Sequence, residues 1–124
     1  MRVFKTKPFT RFANHEGIDD EELCDAVRRA EKGLVDADLG GGVVKQRLAR
    51  KAQGKSGGFR SIILFRQGEK AFFVYGFAKN ERANIKHNEL NAFRKLADQM
   101  LVYDDTALAA AMANGTITRV ECHG

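Results

Sequence analysis

The spacing of hydrophobic residues changes several times along the chain, and each change predicts an element. Val3 and Phe4 lie in a weak alternation over Arg2 to Thr6, just before Pro8, which predicts a short strand. Phe9, Phe12 and Ala13 then recur at helical spacing up to the turn-prone Asn14-His15-Glu16-Gly17, so a short helix is expected between Phe9 and Asn14. The next helix has a clear start: Asp19 as N-cap, Glu22 three residues later as the partner of a capping box, and Ile18 placed to staple against Leu23. Its apolar stripe is Leu23, Ala26, Val27 and Ala30, and Gly33 suits the position just past the end, giving a helix from about Asp20 to Lys32.

After a loop through Asp36 and Asp38 the period changes to two. Following Gly40-Gly41-Gly42, the segments Val43 to Lys51, Gly58 to Arg66 and Lys70 to Lys79 read as an antiparallel meander, joined by 53–57 and by the short turn Gln67-Gly68-Glu69. Both faces of the third segment are apolar, which predicts the central strand. Helical spacing returns with Ile85, Leu90, Phe93, Leu96, Ala97 and Met100, although Lys86 is a poor N-cap. Asp104-Asp105 should interrupt that helix and start another through Ala107 to Ala113, closed by Asn114-Gly115, with Ile117 to Cys122 as a possible edge strand. The expected fold class is α+β. A mostly antiparallel sheet of about four strands, mixed at its edge, would carry an N-terminal helical pair and a C-terminal helix on one face, as a single domain over residues 1–124.

Composition narrows the class. With 124 residues, 44% hydrophobic and 30% charged, the chain can bury a core and is too apolar to be disordered. No apolar run approaches the roughly 18 residues of a membrane helix. Met1 to Thr10 lacks the apolar centre of a secretory signal, so a cytoplasmic protein is expected. Cys24 and Cys122 have neither disulfide-framework density nor metal-ligand spacing and are expected to be reduced bystanders. No cofactor or metal is expected. His15, His87 and His123 are scattered, and only two carboxylates lie within the basic segment, too few for a two-metal nuclease.

Charge changes the picture most. The net of +5 hides two opposed regions, because Val43 to Lys86 holds eleven Lys and Arg against only Glu69 and Glu81. That segment nets +9 while the rest of the chain nets −4, so one surface should attract a polyanion, RNA foremost. Strand geometry puts Val43, Lys45, Arg47, Ala49 and Lys51 on one side, opposite Val44, Gln46 and Leu48, and roots Arg60 in the next strand. These cations could equally be a solvated outer face. Their clustering argues otherwise, unless acidic residues from elsewhere compensate them. In the third strand, simple alternation groups Ala71, Phe73, Tyr75 and Phe77 against Phe72, Val74, Gly76 and Ala78; Tyr75 and Phe77 read first as core and second as base-stacking groups. Arg50, Lys51, Lys55 and Arg66 complete the backbone-contact candidates. Gly54-Lys55-Ser56-Gly57-Gly58 has the residue types of a phosphate loop without the spacing or the following helix, which excludes a triphosphate site but not contact with an RNA backbone.

Three segments together, Val44-Lys45-Gln46-Arg47-Leu48, Gly54-Lys55-Ser56-Gly57-Gly58-Phe59-Arg60 and Phe73 to Ile85 (Phe-Val-Tyr-Gly-Phe-Ala-Lys-Asn-Glu-Arg-Ala-Asn-Ile), resemble the RelE/HigB-like toxins of bacterial type II toxin–antitoxin systems, within the RelE/ParE superfamily. The resemblance implies a RelE-like fold and a metal-independent mRNA endoribonuclease. Such toxins often act in the ribosomal A site, inhibit translation and arrest growth. It also implies a cognate antitoxin, often a helix-turn-helix protein, that wraps the toxin. By motif, Lys45 and Arg47 take the family's strand-borne basic pair, Arg60 its characteristic arginine, and Lys79 and Arg82 the basic positions after the last long strand. Asn80 stands where some relatives have arginine, and the tyrosine or acid some relatives carry near the C-terminus has no match.

Cleavage by a ribose 2′-OH on its adjacent phosphate needs alignment, a proton acceptor, stabilised phosphoryl oxygens and a donor for the 5′-oxygen. Arg60 would clamp the phosphate, and Lys45, crowded by Arg47, could serve as base. Two other readings stay open: a ParE-like inhibitor of DNA gyrase, and an RNA-binding protein without catalysis.

Overall fold

The computed structural model describes residues 1–49 and 58–122. Among them run β1 (Arg2–Thr6), α1 (Lys7–Glu16), α2 (Asp20–Glu31), β2 (Ala37–Gly40), β3 (Val43–Leu48), β4 (Phe59–Arg66), β5 (Lys70–Ala78), α3 (His87–Met100), α4 (Asp105–Ala113) and β6 (Ile117–Val120). The strands form one sheet in the order β2-β3-β4-β5-β1-β6. The meander β3-β4-β5 is antiparallel as expected, but β1 inserts beside β5 in parallel, and β6 pairs antiparallel with β1. The sheet therefore has six strands rather than about four. The additional strand β2 occupies what the sequence suggested was loop; its four residues, two of them Asp and Gly, carry no strand signature of their own and are held by pairing with β3.

The helices also cover both sheet faces, not one. Phe9, Ala13, Leu23, Ala26 and Val27 of α1 and α2 pack with Val44, Leu48, Phe59, Ile63 and Phe73. Ala97, Met100, Leu108 and Ala111 of α3 and α4 pack with Val43, Ile62, Leu64 and Phe72 on the opposite face. The cause is the sequence of β4 and β5, apolar on both sides, since neither face of an internal strand of that kind can be left in water.

Local chemistry sets the helix ends. The Asp19 carboxylate accepts from the Glu22 amide, and Gly33 takes the left-handed conformation after α2. The poor N-cap Lys86 is compensated by Glu89, whose Oε1 accepts from the Lys86 amide at 2.6 Å. The expected reduced cysteines are instead a disulfide: Cys24 on α2 and Cys122 just after β6 have Cα atoms 5.6 Å apart. Their separation of 98 residues hid this, because only the insertion of β1 brings β6 back against α2. No helix among the described residues is long and apolar enough to cross a membrane.

The alternation of β5 breaks at one position. Ile62 pairs with Tyr75 and Ile63 with Phe73, so Val74 is an extra residue and the alternation reverses there. Ala71, Phe73 and Ala78 face α1 and α2, whereas Phe72, Val74, Tyr75 and Phe77 face the other layer. Strict alternation groups Tyr75 and Phe77 with Phe73, and the bulge overturns that grouping. Gly76 faces α1, where an added Cβ would lie 2.3 Å from the Phe12 ring, so only glycine lets α1 sit this close to the strand.

Candidate functional site

The α3 face is covered unevenly. Ala97 and Leu101 seal the end bearing Val43, Leu64 and Phe72, while the end near Leu48, Phe59 and Ala78 carries cations and aromatics. Two rows cross the strands there. Lys45, Ile62 and Tyr75 are paired in register, and Arg47, Arg60 and Phe77 form the next row. With neighbouring strands about 4.8 Å apart, each row spans about 10 Å, the scale of one nucleotide and its phosphates. Three of the side chains predicted from sequence, Lys45, Arg47 and Arg60, thus share one surface, and the bulge adds Tyr75 and Phe77 to it.

A carboxylate organises the cations. Asp36, whose amide donates to the Lys45 carbonyl at 3.0 Å, directs Oδ2 to within 3.3 Å of Arg60 Nε and 3.5 Å of Lys45 Nζ. Arg60 is almost wholly buried, with 6% of its side chain exposed, and its Nη1 donates to the Phe59 carbonyl at 3.4 Å. Lys45 Nζ also lies 3.5 Å from Asn84 Oδ1, which ties the strand to the segment after β5. Arg47 is exposed beside this pair. Asp36 changes one expectation: Lys45 is not crowded by like charge alone, so the premise for a lysine base is offset by an adjacent anion.

Arg82 has a different setting. It makes a fork with Glu89, Nη2 to Oε1 at 2.6 Å and Nη1 to Oε2 at 3.2 Å, and Nη1 donates to the Tyr75 hydroxyl at 2.8 Å. Its guanidinium lies 5.7 Å from the ring centroids of both Tyr75 and Phe77. The hydrogen bond from Arg82, then that from the Lys86 amide, holds the Glu89 carboxyl below the usual range, and the same contact with Glu89, followed by that with Tyr75, raises the Arg82 guanidinium. Arg82 is therefore a clamp that fixes the two aromatics against the start of α3. Lys79 is exposed and enters no ion pair among the described residues. Beside Arg82 a hollow of about 370 Å³ opens at the end of β5, lined in part by Phe12, Tyr75, Phe77 and Glu81.

One candidate falls elsewhere, as does a second cation of the basic segment. Arg66 is six residues from Arg60 on β4, about 20 Å away at the usual rise, and its Nη1 donates to the Leu101 carbonyl at 3.2 Å. It is not part of this surface. Lys70, one of the eleven segment cations, is buried and donates to the carbonyls of Leu101 at 3.0 Å and Tyr103 at 2.6 Å. Both cations cap the C-terminal end of α3. Arg50, Lys51 and Lys55 lie outside the described residues.

Residue patterns missed the partners rather than the cations. Asp36, Asn84 and Glu89 were not singled out, and only Glu89 left a signal, standing three residues after the weak N-cap Lys86. Asp36 and Glu89 lie just outside the basic segment, which is why counting charge within it showed no compensation.

Over residues 1–120 the chain matches the family described as the RelE toxin of the RelE / RelB toxin-antitoxin system. It belongs to the RelE toxin family. A search of curated proteins gives no match. Membership makes the chain a toxin of a toxin–antitoxin system and implies an antitoxin partner. Within this RelE toxin the resemblance-derived residues separate by geometry: Lys45, Arg47 and Arg60 cluster around Asp36, Lys79 stands exposed after β5, and Arg82 is engaged with Glu89.

Proposed function

We propose that this toxin is a metal-independent mRNA endoribonuclease that inhibits translation, working on ribosome-bound message. The observation that carries the reading is the row Arg47–Arg60–Phe77 beside Lys45, which gathers guanidinium and ammonium groups from two adjacent rigid strands at one end of the sheet, with Arg47 exposed. A phosphate seated over Arg60 and Arg47 would meet planar donors that stabilise charge building on its non-bridging oxygens as the 2′-OH attacks. Bond formation from the 2′-oxygen, whose proton passes to water, and loss of the 5′-oxygen, which takes a proton from water, would leave a 2′,3′-cyclic phosphate and a 5′-hydroxyl. Because Asp36 adjoins Lys45, we assign the Lys45 ammonium to the phosphate rather than to proton abstraction. Tyr75, half-buried and held by Arg82, offers a neighbouring ring against which a base can stack, with Phe77 buried beside it.

The test is cleavage of message on programmed ribosomes, with the 3′ product end identified by its cyclic phosphate. Arg60→Ala should lower the cleavage rate by about 10²- to 10³-fold, the loss expected for one preorganised charge-stabilising donor. Intact message together with inhibition of gyrase supercoiling would favour the ParE-like reading, and salt-sensitive RNA binding without products would favour a binder.

A further inference from the structure

We propose that Asp36 is a positioning residue for the cleavage, acting through Arg60 and Lys45 and not on the RNA itself. The inference rests on the ribonuclease reading of the same surface.

One oxygen of the carboxylate, Oδ2, lies 3.3 Å from Arg60 Nε and 3.5 Å from Lys45 Nζ, so it holds two cations from adjacent strands at a fixed separation. Arg60 and Lys45 are not opposite one another in the sheet: Arg47 faces Arg60, and Lys45 faces Ile62. Without a shared anion, mutual repulsion would turn the two side chains apart. The Arg60 contact uses Nε, the nitrogen nearest the chain, so the carboxylate fixes the rotation of the guanidinium plane from its inner edge. Asp36 is itself held by its backbone, whose amide donates to the Lys45 carbonyl at 3.0 Å just before β2. The pairing of β2, short and without strand character of its own, therefore secures the residue that aligns the cations. An anion inside a polyanion site weakens RNA attraction, a cost that makes sense when alignment gains more than net charge would.

The two simplest roles have opposite consequences. Asp36→Asn removes one negative charge from the site. If Asp36 served only as a competing anion, the variant would bind RNA more tightly, with lower KM and unchanged or higher kcat. If it aligns Arg60 and Lys45, kcat should fall by about 10- to 100-fold, the scale of a misplacement near 1 Å, with KM changing far less. The loss should shrink in an Arg60→Ala background, because the carboxylate then has only Lys45 left to align. Asp38→Asn makes the same charge change two residues along, where Asp38 Oδ1 accepts from the Gly40 amide at 3.0 Å, and should cleave as wild type does.

The experiment is steady-state cleavage of one message on programmed ribosomes by wild type, Asp36→Asn, Asp36→Glu, Asp38→Asn, Arg60→Ala and the Asp36→Asn/Arg60→Ala pair, with thermal midpoints recorded. A lower kcat for Asp36→Asn, partial recovery in Asp36→Glu and a non-additive pair support positioning. Wild-type kcat in Asp36→Asn, or full additivity of the pair, overturns it. If Asp36→Asn is poorly folded, Asp36→Glu in the two Arg60 backgrounds carries the same cycle. Wild type that leaves the message uncut overturns the ribonuclease reading instead, and is distinguished by that control.

Discussion

The two ends of the sheet face beneath α3 are both cationic in sequence, yet they do opposite work. At one end Arg66 and Lys70 donate into the carbonyls of Leu101 and Tyr103, where α3 finishes, and their charge is absorbed by backbone oxygens. At the other end Lys45 and Arg60 share the Asp36 carboxylate, with Arg47 exposed beside them. All five cations belong to β3, β4 or β5. What separates them is the kind of acceptor: the turn after α3 offers backbone carbonyls to exposed Arg66 and buried Lys70, whereas among the described residues the Asp36 carboxylate meets Lys45 and the buried Arg60. A basic segment is therefore not a basic surface: each cation's acceptor, backbone carbonyl or carboxylate, decides how its charge is used.

The largest test of this contrast sets Arg60→Ala, with its expected loss of about 10²- to 10³-fold in cleavage, against Arg66→Ala, which should cleave at the wild-type rate; equal losses in the two would break the comparison. Next comes Lys70→Met, which keeps the side-chain volume but removes the side-chain donor to the Tyr103 carbonyl and leaves the Leu101 carbonyl to Arg66. It should lower unfolding free energy by about 1–3 kcal/mol in urea titrations without altering kcat. A change in kcat at unchanged stability would instead place Lys70 in the site. Smaller again is Lys79→Ala. Loss of one exposed cation should reduce the slope of log binding constant against log salt by about 0.7 for single-stranded RNA, and an unchanged slope would remove Lys79 from the interface.

The smallest effect concerns the Arg82–Glu89 clamp. Its carboxyl is held below the ordinary range in the folded protein, so it contributes stability above the unfolded-state value, near pH 4.3, and loses that contribution as pH falls through the lower folded value. Glu89→Gln should accordingly be less stable than wild type at pH 7, with the gap closing in acid. Unfolding curves of the two proteins from pH 7 to pH 2.5 measure it, and a gap independent of pH would show that the clamp acts by shape alone.

How much of the molecule is legible in its sequence varies by element. The α2 boundaries are readable because Asp19, Glu22 and Gly33 act within a few residues of the backbone groups they satisfy. The meander is readable from period-two runs separated by glycine turns. The place of β1 is not, since nothing in Arg2 to Thr6 says that it pairs in parallel with Lys70 to Phe73. That one insertion brings with it the parallel pair, the position of β6 and the Cys24–Cys122 disulfide. Tyr75 and Phe77 stand out as aromatic candidates but fall on the wrong face by alternation, because a bulge of one residue at Val74 reverses every later side chain.

By itself the sequence determined the residue types of the site and the strands that carry them: Lys45, Arg47 and Arg60 are fixed by local alternation, and alternation is a property of the chain alone. The tertiary structure decided which charges remain available and what aligns them. Asp36, Glu89, Leu101 and Tyr103 reach their cations across 7 to 35 positions of sequence. Contacts of that kind arise only when the sheet order and the path of α3 have been set. Electrostatic attraction acts through space rather than along the chain, so the count of charges was a sequence property and their use was not.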